Sequence, residues 1–172
     1  MTARKSNPAA EPAEQELVIT RVFDAPRELV FKTWTEPEHF VHWWGPKGFT
    51  TPHCKIDPRP GGVWHCCMRS TDGKDIWCGG VYREIVVPER IVCTDCFTDE
   101  KGNVVDPAVY GMPEAPKEML LTVTLTEKNG RTTLTVKHSL PLWLAERMGA
   151  PQGWNSSFDR LAEYLAKTRA LR

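Results

Sequence analysis

The segments from 119 to 127 and from 131 to 139 alternate apolar and polar residues along most of their length. On the first segment three aliphatic residues share one face and three threonines the other: Leu121, Val123 and Leu125 against Thr122, Thr124 and Thr126. A period of two is typical of a strand with one buried and one exposed face. The Asn129-Gly130 pair between the segments is a strong signal for a tight turn. The pattern therefore predicts an antiparallel hairpin.

Four other extended runs precede this hairpin, at 50–56, 63–69, 75–85 and 91–97. Turn-forming sequences such as DPRPGG, TDGK and VPER separate them, because proline, glycine and aspartate favour tight turns. Together with the hairpin, the four runs predict a six-stranded antiparallel meander.

The N-terminal part of the chain predicts a strand followed by two short helices. Residues 17–23 are mostly β-branched and apolar, and Asp24 and Pro26 then suit the N-cap and the first turn of a helix. Pro37 begins a second short helix. The apolar residues of the two helices are Leu29, Val30, Phe31 and Trp34, then Phe40, Trp43 and Trp44.

The C-terminal segment predicts a long amphipathic helix. Its apolar stripe is Trp154, Phe158, Leu161 and Leu165, at offsets of four, three and four. Burying each side chain contributes roughly 1.5–3 kcal/mol, so the helix must lie against an apolar surface. The inner face of the sheet supplies one. We therefore predict an α+β fold in which a curved antiparallel sheet wraps around a long C-terminal helix, with room for a cavity between them.

Length and composition fit one globular domain. The chain has 172 residues, of which 41% are hydrophobic and 26% charged. The first 16 residues lack the apolar core of a signal peptide and predict a disordered tail, which leaves residues 17–172 as the domain. Twenty-two basic and 22 acidic residues balance, so the net charge offers no attraction to nucleic acid. No stretch approaches the roughly 20 apolar residues of a membrane span, and we expect a cytoplasmic monomer or homodimer without stable membrane insertion.

Five sequence blocks, in this order, resemble the START-like, or SRPBCC, superfamily: FDAPRELVFKTWTEPEHFVHWWGPKGFT, PGGVWHCCMRSTDGK, GGVYREIVVPERIV, LTVTLTEKNGRTTLTVKHS and GWNSSFDRLAEYLA. Within it they are similar to the bacterial branch related to the C-terminal domain of the activator of the heat-shock-ninety ATPase. The resemblance covers residues 17–167. It implies a helix-grip fold with an apolar cavity between sheet and C-terminal helix, in which members bind or transform lipids, polyketides and plant hormones.

The candidate ligand-binding residues are those expected to face this cavity or its entrance. They are Trp64, Cys66, Met68, Tyr82, Tyr110, Met112, His138, Trp154 and Phe158. Trp34, Trp43 and Trp44 are expected to pack and to close the mouth of the cavity, because an indole is a large apolar body with one donor. The connection from 98 to 117 is too long for a tight hairpin, and we expect it to cover one entrance.

Six cysteines and five histidines raise the possibility of a metal site. Free cysteine usually behaves as a small buried hydrophobe, and we predict neither a metal nor another cofactor. The alternative is that His53, His65 and Cys67 meet on the outer face of the sheet as zinc ligands. His39 and His42 are expected to be surface or capping residues.

Three functions remain open. The first is binding of a small apolar molecule, which needs no catalytic group. The second is an enzyme of the cyclase, hydratase or isomerase type, with His138 and one of Tyr82, Glu84 or Asp95 as acid or base. The third, a co-chaperone, ranks last, because the eukaryotic proteins named in the resemblance carry a separate chaperone-binding domain.

Overall fold

The computed structural model describes residues 15–170, with side chains through residue 168. Seven strands form one antiparallel sheet in the order β1-β7-β6-β5-β4-β3-β2. The strands are β1 (Glu16–Phe23), β2 (Thr50–Ile56), β3 (Val63–Arg69), β4 (Asp75–Val86), β5 (Arg90–Thr98), β6 (Met119–Lys128) and β7 (Arg131–Pro141). The predicted meander is therefore confirmed, and β1 completes the sheet by pairing with β7.

Helices cover the concave face of this curved sheet. They are α1 (Arg27–Thr35), α2 (Pro37–Phe40), α3 (Leu142–Met148) and α4 (Ala150–Ala170), with a 3-10 helix at Pro107–Tyr110. The arrangement confirms the predicted α+β helix-grip fold. Residues 1–14, which contain most of the predicted tail, lie outside the described residues. No helix within residues 15–170 combines the length and the apolarity that a membrane span requires.

The predicted hairpin turn between β6 and β7 has the expected backbone. Asn129 and Gly130 have φ values of 54° and 75°, and positive φ at both positions is the requirement of the turn that matches strand twist. Lys128 pairs with Arg131 across this turn. The turn fixes the register that places Leu125 opposite Leu134 in the core.

The start of α1 differs from the prediction. Pro26 occupies the N-cap position and makes no side-chain cap, so Asp24 lies too early in the chain to be the N-cap. The Arg27 amide instead donates to a carboxylate oxygen of Glu127, at 2.8 Å. A side chain of β6, 100 residues away in sequence, thus accepts a hydrogen bond from a backbone N–H group in the first turn of α1, where these groups have no partner within the helix.

The sequence patterns missed α3. Leu144 and Ala145 are buried in the core, whereas Trp143 is 55% exposed. Gly149 ends the helix, and α4 begins at the next residue. Only two of the seven residues of α3 are buried, and an apolar stripe this short does not produce a periodic pattern from which a helix can be predicted.

The apolar stripe of α4 packs as predicted. Phe158, Leu161 and Leu165 are 0%, 0% and 3% exposed, and Phe158 meets Phe23 of β1 edge-on at a ring distance of 6.0 Å. Trp154, at the N-terminal end of the stripe, is only partly buried. The helix is therefore sealed against the sheet along most of its length and is more open at its beginning.

Candidate ligand-binding site

A groove of about 210 Å³ opens where α4 begins. Its lining, here named the α4 groove, consists of Trp44, Gly45, Pro46, Met68, Ala150, Gly153, Trp154 and Ser157. Ser157 supplies the one polar side chain of this set, and its hydroxyl already donates to the Gly153 carbonyl at 3.0 Å. The lining therefore offers an almost entirely apolar surface.

A second, much smaller space lies deeper, between the sheet and the first two helices. This inner void measures about 20 Å³, and its lining is Trp34, Phe40, Trp44, Trp64, Tyr82, Ile91, Cys93, Leu121 and Val123. Trp44 lines both spaces. The indole of Trp154 meets that of Trp44 edge-on, with ring centroids 5.6 Å apart. Trp44 therefore borders both the groove and the void, and Trp154 packs against it on the groove side.

The opening segment of the chain builds the aromatic wall of the site. Trp43 is completely buried, and its indole donates to the Thr33 carbonyl at 2.9 Å. Its ring also meets those of Trp34 and Trp44 edge-on, at 4.7 and 5.6 Å. This agrees with the expectation that the three tryptophans pack together. Trp44, however, also lines both spaces.

Arg160 of α4 holds this wall in position. Its guanidinium donates to the carbonyls of Trp44, Gly45 and Pro46 at 3.1, 2.8 and 3.4 Å, and to that of His42 at 3.2 Å. These carbonyls belong to the turn that follows α2, where the chain has no helical partner for them. Burial lowers the pKa of this arginine. One side chain thus ties α4 to the edge of the groove.

The strand side of the site depends on a contact between β3 and β5 across β4. The Trp64 indole donates to the Thr94 carbonyl at 3.0 Å. A Cβ on Gly80 would lie 1.8 Å from that same oxygen, so a side chain cannot be accommodated there. The glycine at position 80 therefore permits the carbonyl position to which Trp64 is anchored.

Cysteines line the inner face of the adjacent strands. Cys54, Cys66 and Cys78 are aligned by the register of β2, β3 and β4, and the sulfurs of Cys66 and Cys78 are 3.3 Å apart. Burial raises the pKa of Cys54 to about 12 and that of Cys66 well above its usual value. The Cys54 and Cys66 thiols are therefore neutral at physiological pH and pack as small apolar groups, as free cysteine commonly does.

One polar pair is buried on the inner face. His138 Nε2 lies 3.1 Å from Asp95 Oδ2, and the two side chains are 9% and 14% exposed. The contact lacks hydrogen-bond alignment, and within the described chain neither ring nitrogen of His138 has a hydrogen-bond partner. Of the three candidate partners of His138, Asp95 is thus the one that lies beside it. The Trp154 ring lies edge-on to His138 at 6.0 Å, so it covers the pair on the groove side.

The two other candidate partners of His138 behave differently. Tyr82 is buried and lines the inner void, and desolvation raises its pKa, so the phenol remains neutral. A register shift between Tyr82 and Glu84 breaks the alternation of β4. Glu84 consequently pairs with Arg90 at 3.2 Å and is about half exposed, on the side away from the void. A bulge of this kind turns the side chains that follow it toward the other face of the sheet. The alternation of apolar and polar residues along the strand does not predict it.

The histidines and the cysteine of the alternative metal site do come together on the outer face. His53 is opposite Cys67, and the rings of His53 and His65 are 5.3 Å apart. Trp77 stacks on His65 at 5.0 Å, and the Nε2 of His65 contacts the Thr98 hydroxyl at 3.1 Å. Among the described residues no group of three or more metal-ligating side chains is placed to hold an ion.

His39 and His42 both contact one residue of α4. His39 Nδ1 is 2.6 Å from the hydroxyl of Tyr164, and the ring of His42 stacks on the same tyrosine at 4.9 Å. His39 also approaches Glu36 at 3.3 Å. These contacts join α2 and the turn after it to the C-terminal helix, and a capping role for the two histidines stays a prediction.

The connection after β5 is held by specific contacts of its own. The Tyr110 hydroxyl donates to the Thr98 carbonyl at 2.5 Å and accepts from the Trp77 amide at 3.3 Å. Glu114 pairs with Arg147 of α3 at 2.7 Å. Neither Tyr110 nor Met112 lines the α4 groove or the inner void. Ligand contact by Tyr110 and Met112 stays a prediction, as does the expectation that this connection covers one entrance of the cavity.

The nine predicted ligand-binding residues thus separate into four groups. Met68 and Trp154 line the α4 groove, while Trp64 and Tyr82 line the inner void. Cys66, Phe158 and His138 are buried beside these spaces, and Tyr110 and Met112 lie elsewhere. The sequence patterns did not single out Gly45, Pro46, Ala150, Gly153 and Ser157. The sequence feature that could have indicated them is the presence of small residues at two helix boundaries, Gly-Pro after α2 and Gly-Ala at the start of α4. Both boundaries lie at the entrance of the groove.

Comparison with known proteins agrees with this architecture. A family model described as Activator of Hsp90 ATPase homolog 1-like protein matches residues 24–166. The crystal structure of a Nitrosomonas europaea protein has a TM-score of 0.73 and 26% identity, covering 92% of this chain and 99% of that one. The crystal structure of a Chromobacterium violaceum protein has a TM-score of 0.71 and 27% identity, covering 87% of this chain and 95% of that one. The crystal structure of a Silicibacter pomeroyi protein has a TM-score of 0.72 and 22% identity, covering 90% of this chain and 99% of that one. At this identity the similarity supports the fold alone.

Among curated proteins no sequence matches this chain significantly. The family match nevertheless extends from the end of β1 through most of α4 and so includes every element that lines the groove. The chain therefore belongs to the Activator of Hsp90 ATPase homolog 1-like family, within the START-like superfamily.

Proposed function

We propose that this protein binds an apolar or amphipathic small molecule in the α4 groove. The observation that carries the proposal is the chemistry of the lining, which presents two indoles, a methionine, a proline and small residues to a concave space of about 210 Å³. Desolvation of an apolar ligand against such a surface is favourable in proportion to the area buried, at roughly 25 cal/mol per Å².

The size of the space limits the ligand. Sites for drug-sized molecules usually measure about 300–1,000 Å³. A groove of about 210 Å³ therefore suits a small ligand, or one that extends beyond the groove or displaces part of its wall. Trp154 and Met68 are the large side chains of the wall that are only partly buried, whereas Trp44 is enclosed.

The proposal can be tested with N-phenyl-1-naphthylamine, a neutral apolar dye that fluoresces on leaving water. We expect saturable binding of one dye per chain, with energy transfer from tryptophan. A Gly153→Phe variant should fill the groove and weaken binding at least tenfold, because a Cβ at this position already lies 3.9 Å from Pro46. Circular dichroism would verify that the variant is folded.

The matched control is Trp143→Ala, which removes an exposed aromatic residue of α3 outside the groove. This variant should bind the dye as the natural sequence does. Unsaturable binding, or equal affinity in the natural sequence and the Gly153→Phe variant, would place the dye elsewhere and overturn the proposal.

A second candidate function, catalysis, is favoured by the buried His138–Asp95 pair. An acid or base must reach the substrate directly or through one water, and Trp154 separates His138 from the groove. Binding is therefore the better supported function. Recovery of a bound polyketide-like compound in chemically changed form would favour the enzyme. Chaperone binding rests on the family description alone.

A further inference from the structure

Two buried indole N–H groups beside the site have no acceptor. Trp34 and Trp44 are 4% and 8% exposed, and the Nε1 atom of each lacks a hydrogen-bond partner among the described residues. Both residues line the inner void. A buried donor without an acceptor is costly, and most buried polar groups in proteins are paired.

The other tryptophans of this cluster show that pairing is achievable here. Trp43 donates to the Thr33 carbonyl at 2.9 Å, and Trp64 donates to the Thr94 carbonyl at 3.0 Å. Among these four tryptophans the unpaired donors are those of Trp34 and Trp44, and both of these rings contact the ring of Trp154. Trp154 stacks on Trp34 at 6.2 Å and meets Trp44 edge-on at 5.6 Å.

The inner void has the size of one small polar group. It measures about 20 Å³, and a space needs roughly 10–15 Å³ by this kind of measure to hold one water molecule. A single carbonyl oxygen fits, whereas a bulkier head group does not. An acceptor oxygen placed there would lie among the residues that carry the unpaired donors.

We infer that the α4 groove takes an apolar molecule carrying one neutral carbonyl oxygen, which enters the inner void between Trp44 and Trp154 and accepts hydrogen bonds from the Trp34 and Trp44 indoles. This inference rests on the proposed function and adds the chemical class of the ligand. The apolar body occupies the groove and the oxygen supplies orientation, which is the usual division of roles in a small-molecule site.

The lining of the void argues against a carboxylate ligand. Its nine residues include no arginine, lysine or histidine that could pair with a buried carboxylate. An isolated carboxylate in such surroundings carries a large desolvation cost. The indoles, by contrast, are neutral donors and suit a neutral acceptor.

The test compares three compounds whose substituents are branched and have equal numbers of non-hydrogen atoms: 2-acetylnaphthalene, 2-isopropylnaphthalene and 2-naphthoate. They place a carbonyl, an alkyl group and a carboxylate on the same apolar body. We expect the ketone to bind about tenfold more tightly than the alkyl compound, the ratio that one net hydrogen bond supplies. The carboxylate should bind more weakly than the ketone. In nitrogen-15 NMR spectra, the ketone should shift the Nε1 resonances of Trp34 and Trp44 more than the alkyl compound does.

Two variants and a matched control assign the donors. Trp34→Phe and Trp44→Phe keep an aromatic ring but remove one N–H each, and each should reduce the preference for the ketone over the alkyl compound at least threefold. Trp43→Phe is the control, since its indole already donates to Thr33. It should leave this ratio unchanged even if it lowers stability, because the ratio is measured within one folded variant.

The outcomes separate this inference from the proposed function. Equal binding of ketone and alkyl compound, with Gly153→Phe weakening both, would overturn the carbonyl inference and leave groove binding intact. Tighter binding of the carboxylate would also overturn it. If no compound binds and the dye also fails to bind, the proposed function falls and this inference with it. The predicted preference, lost in Trp34→Phe and Trp44→Phe but kept in Trp43→Phe, would establish the two donors.

Discussion

The indole of Trp154, at the start of α4, stacks on the indole of Trp34 in α1, with ring centroids 6.2 Å apart and planes inclined by 26°. The stack joins two elements that are 120 residues apart in sequence and closes the open end of the helix-grip fold. Because Trp154 also lines the α4 groove, this contact belongs both to the core and to the candidate site.

Replacing Trp154 should therefore affect stability and access together. We expect Trp154→Ala to lower the free energy of unfolding by about 2–4 kcal/mol, somewhat less than a fully buried tryptophan, and to join the groove with the inner void. Urea denaturation measures the first effect. Trp143→Ala replaces an exposed aromatic residue and should lower the free energy of unfolding by less than about 0.5 kcal/mol. Similar losses in the two variants would mean that the stack contributes little.

Two glycines should respond to alanine in opposite directions. Gly80→Ala would bring a Cβ to 1.8 Å from the Thr94 carbonyl and disturb the Trp64 anchor, which we expect to cost about 2 kcal/mol or more. Gly153→Ala, within α4, meets Pro46 at an ordinary 3.9 Å and should stabilise the helix by up to about 1 kcal/mol. Thermal unfolding of both variants provides the comparison. A neutral Gly80→Ala variant would contradict the role given to this close approach.

Removing the Arg160 head group should loosen the edge of the groove. Arg160→Met keeps the apolar stem but removes a donor from four backbone carbonyls, of which those of Trp44 and Pro46 still accept from the Thr51 hydroxyl and the Phe49 amide. We therefore expect the free energy of unfolding to fall by about 1.5–3 kcal/mol. Hydrogen exchange at residues 42–47 should quicken at the same time. Asp159→Asn is the control, since it removes a largely exposed ion pair with Arg21 and should cost less than about 1 kcal/mol. Equal losses of stability in the two variants would contradict the anchoring role of Arg160.

The buried thiols predict a loss of stability at alkaline pH. An unfolded thiol titrates near pH ~8.5, whereas burial raises the pKa to about 12 for Cys54 and to about 11 for Cys67. Between these limits the unfolded chain loses protons that the folded chain keeps, so the free energy of unfolding falls as pH rises, and the contribution is fully present below pH ~8.5.

This pH effect is measured by urea denaturation under reducing conditions at pH 8 and pH 10. Other groups also titrate in this range, so the comparison is between the natural sequence and a Cys54→Ala variant. The variant should lose less stability over the interval. An identical loss in both proteins would show that Cys54 ionises as readily in the folded chain as in the unfolded one.

The hydroxyl of Tyr110 should hold the connection after β5 in place. Tyr110→Phe removes the bridge between the Trp77 amide and the Thr98 carbonyl, and we expect hydrogen exchange at Trp77 to quicken about tenfold. Tyr164→Phe, which removes a distant hydroxyl that contacts His39, should leave Trp77 unchanged. Unaltered exchange at Trp77 in the Tyr110→Phe variant would contradict the bridging role.

Sequence periodicity identified the elements that local patterns specify. The alternation at Leu121, Val123 and Leu125 and the Asn129-Gly130 turn correctly gave the β6–β7 hairpin, because both signals depend on neighbouring residues. The strand positions at 50–56 and 63–69 coincide with β2 and β3. The family resemblance then supplied the helix-grip arrangement, which periodicity alone could not distinguish from other ways of covering a sheet.

What the sequence did not reveal depends on long-range geometry. Glu127 caps α1 across 100 residues, Arg160 reaches the carbonyls after α2, and a bulge turns Glu84 away from the void. The small residues of the groove, such as Gly153, carry no chemical signal in the chain and become part of a site only when α4 meets the turn at Pro46. Short α3 was missed because its buried stripe contains only Leu144 and Ala145.

The measurement that tests the central claim most directly is the methyl NMR signal of Met68 during a titration with 2-acetylnaphthalene. Met68 lines the α4 groove, whereas Met112, Met119 and Met148 do not and provide internal controls. We predict a saturable shift of the Met68 methyl resonance, with the three controls nearly unchanged and the Met68 shift weakened in Gly153→Phe. A stationary Met68 signal at concentrations that saturate the dye site, or a larger shift at Met112, would contradict ligand binding in the α4 groove.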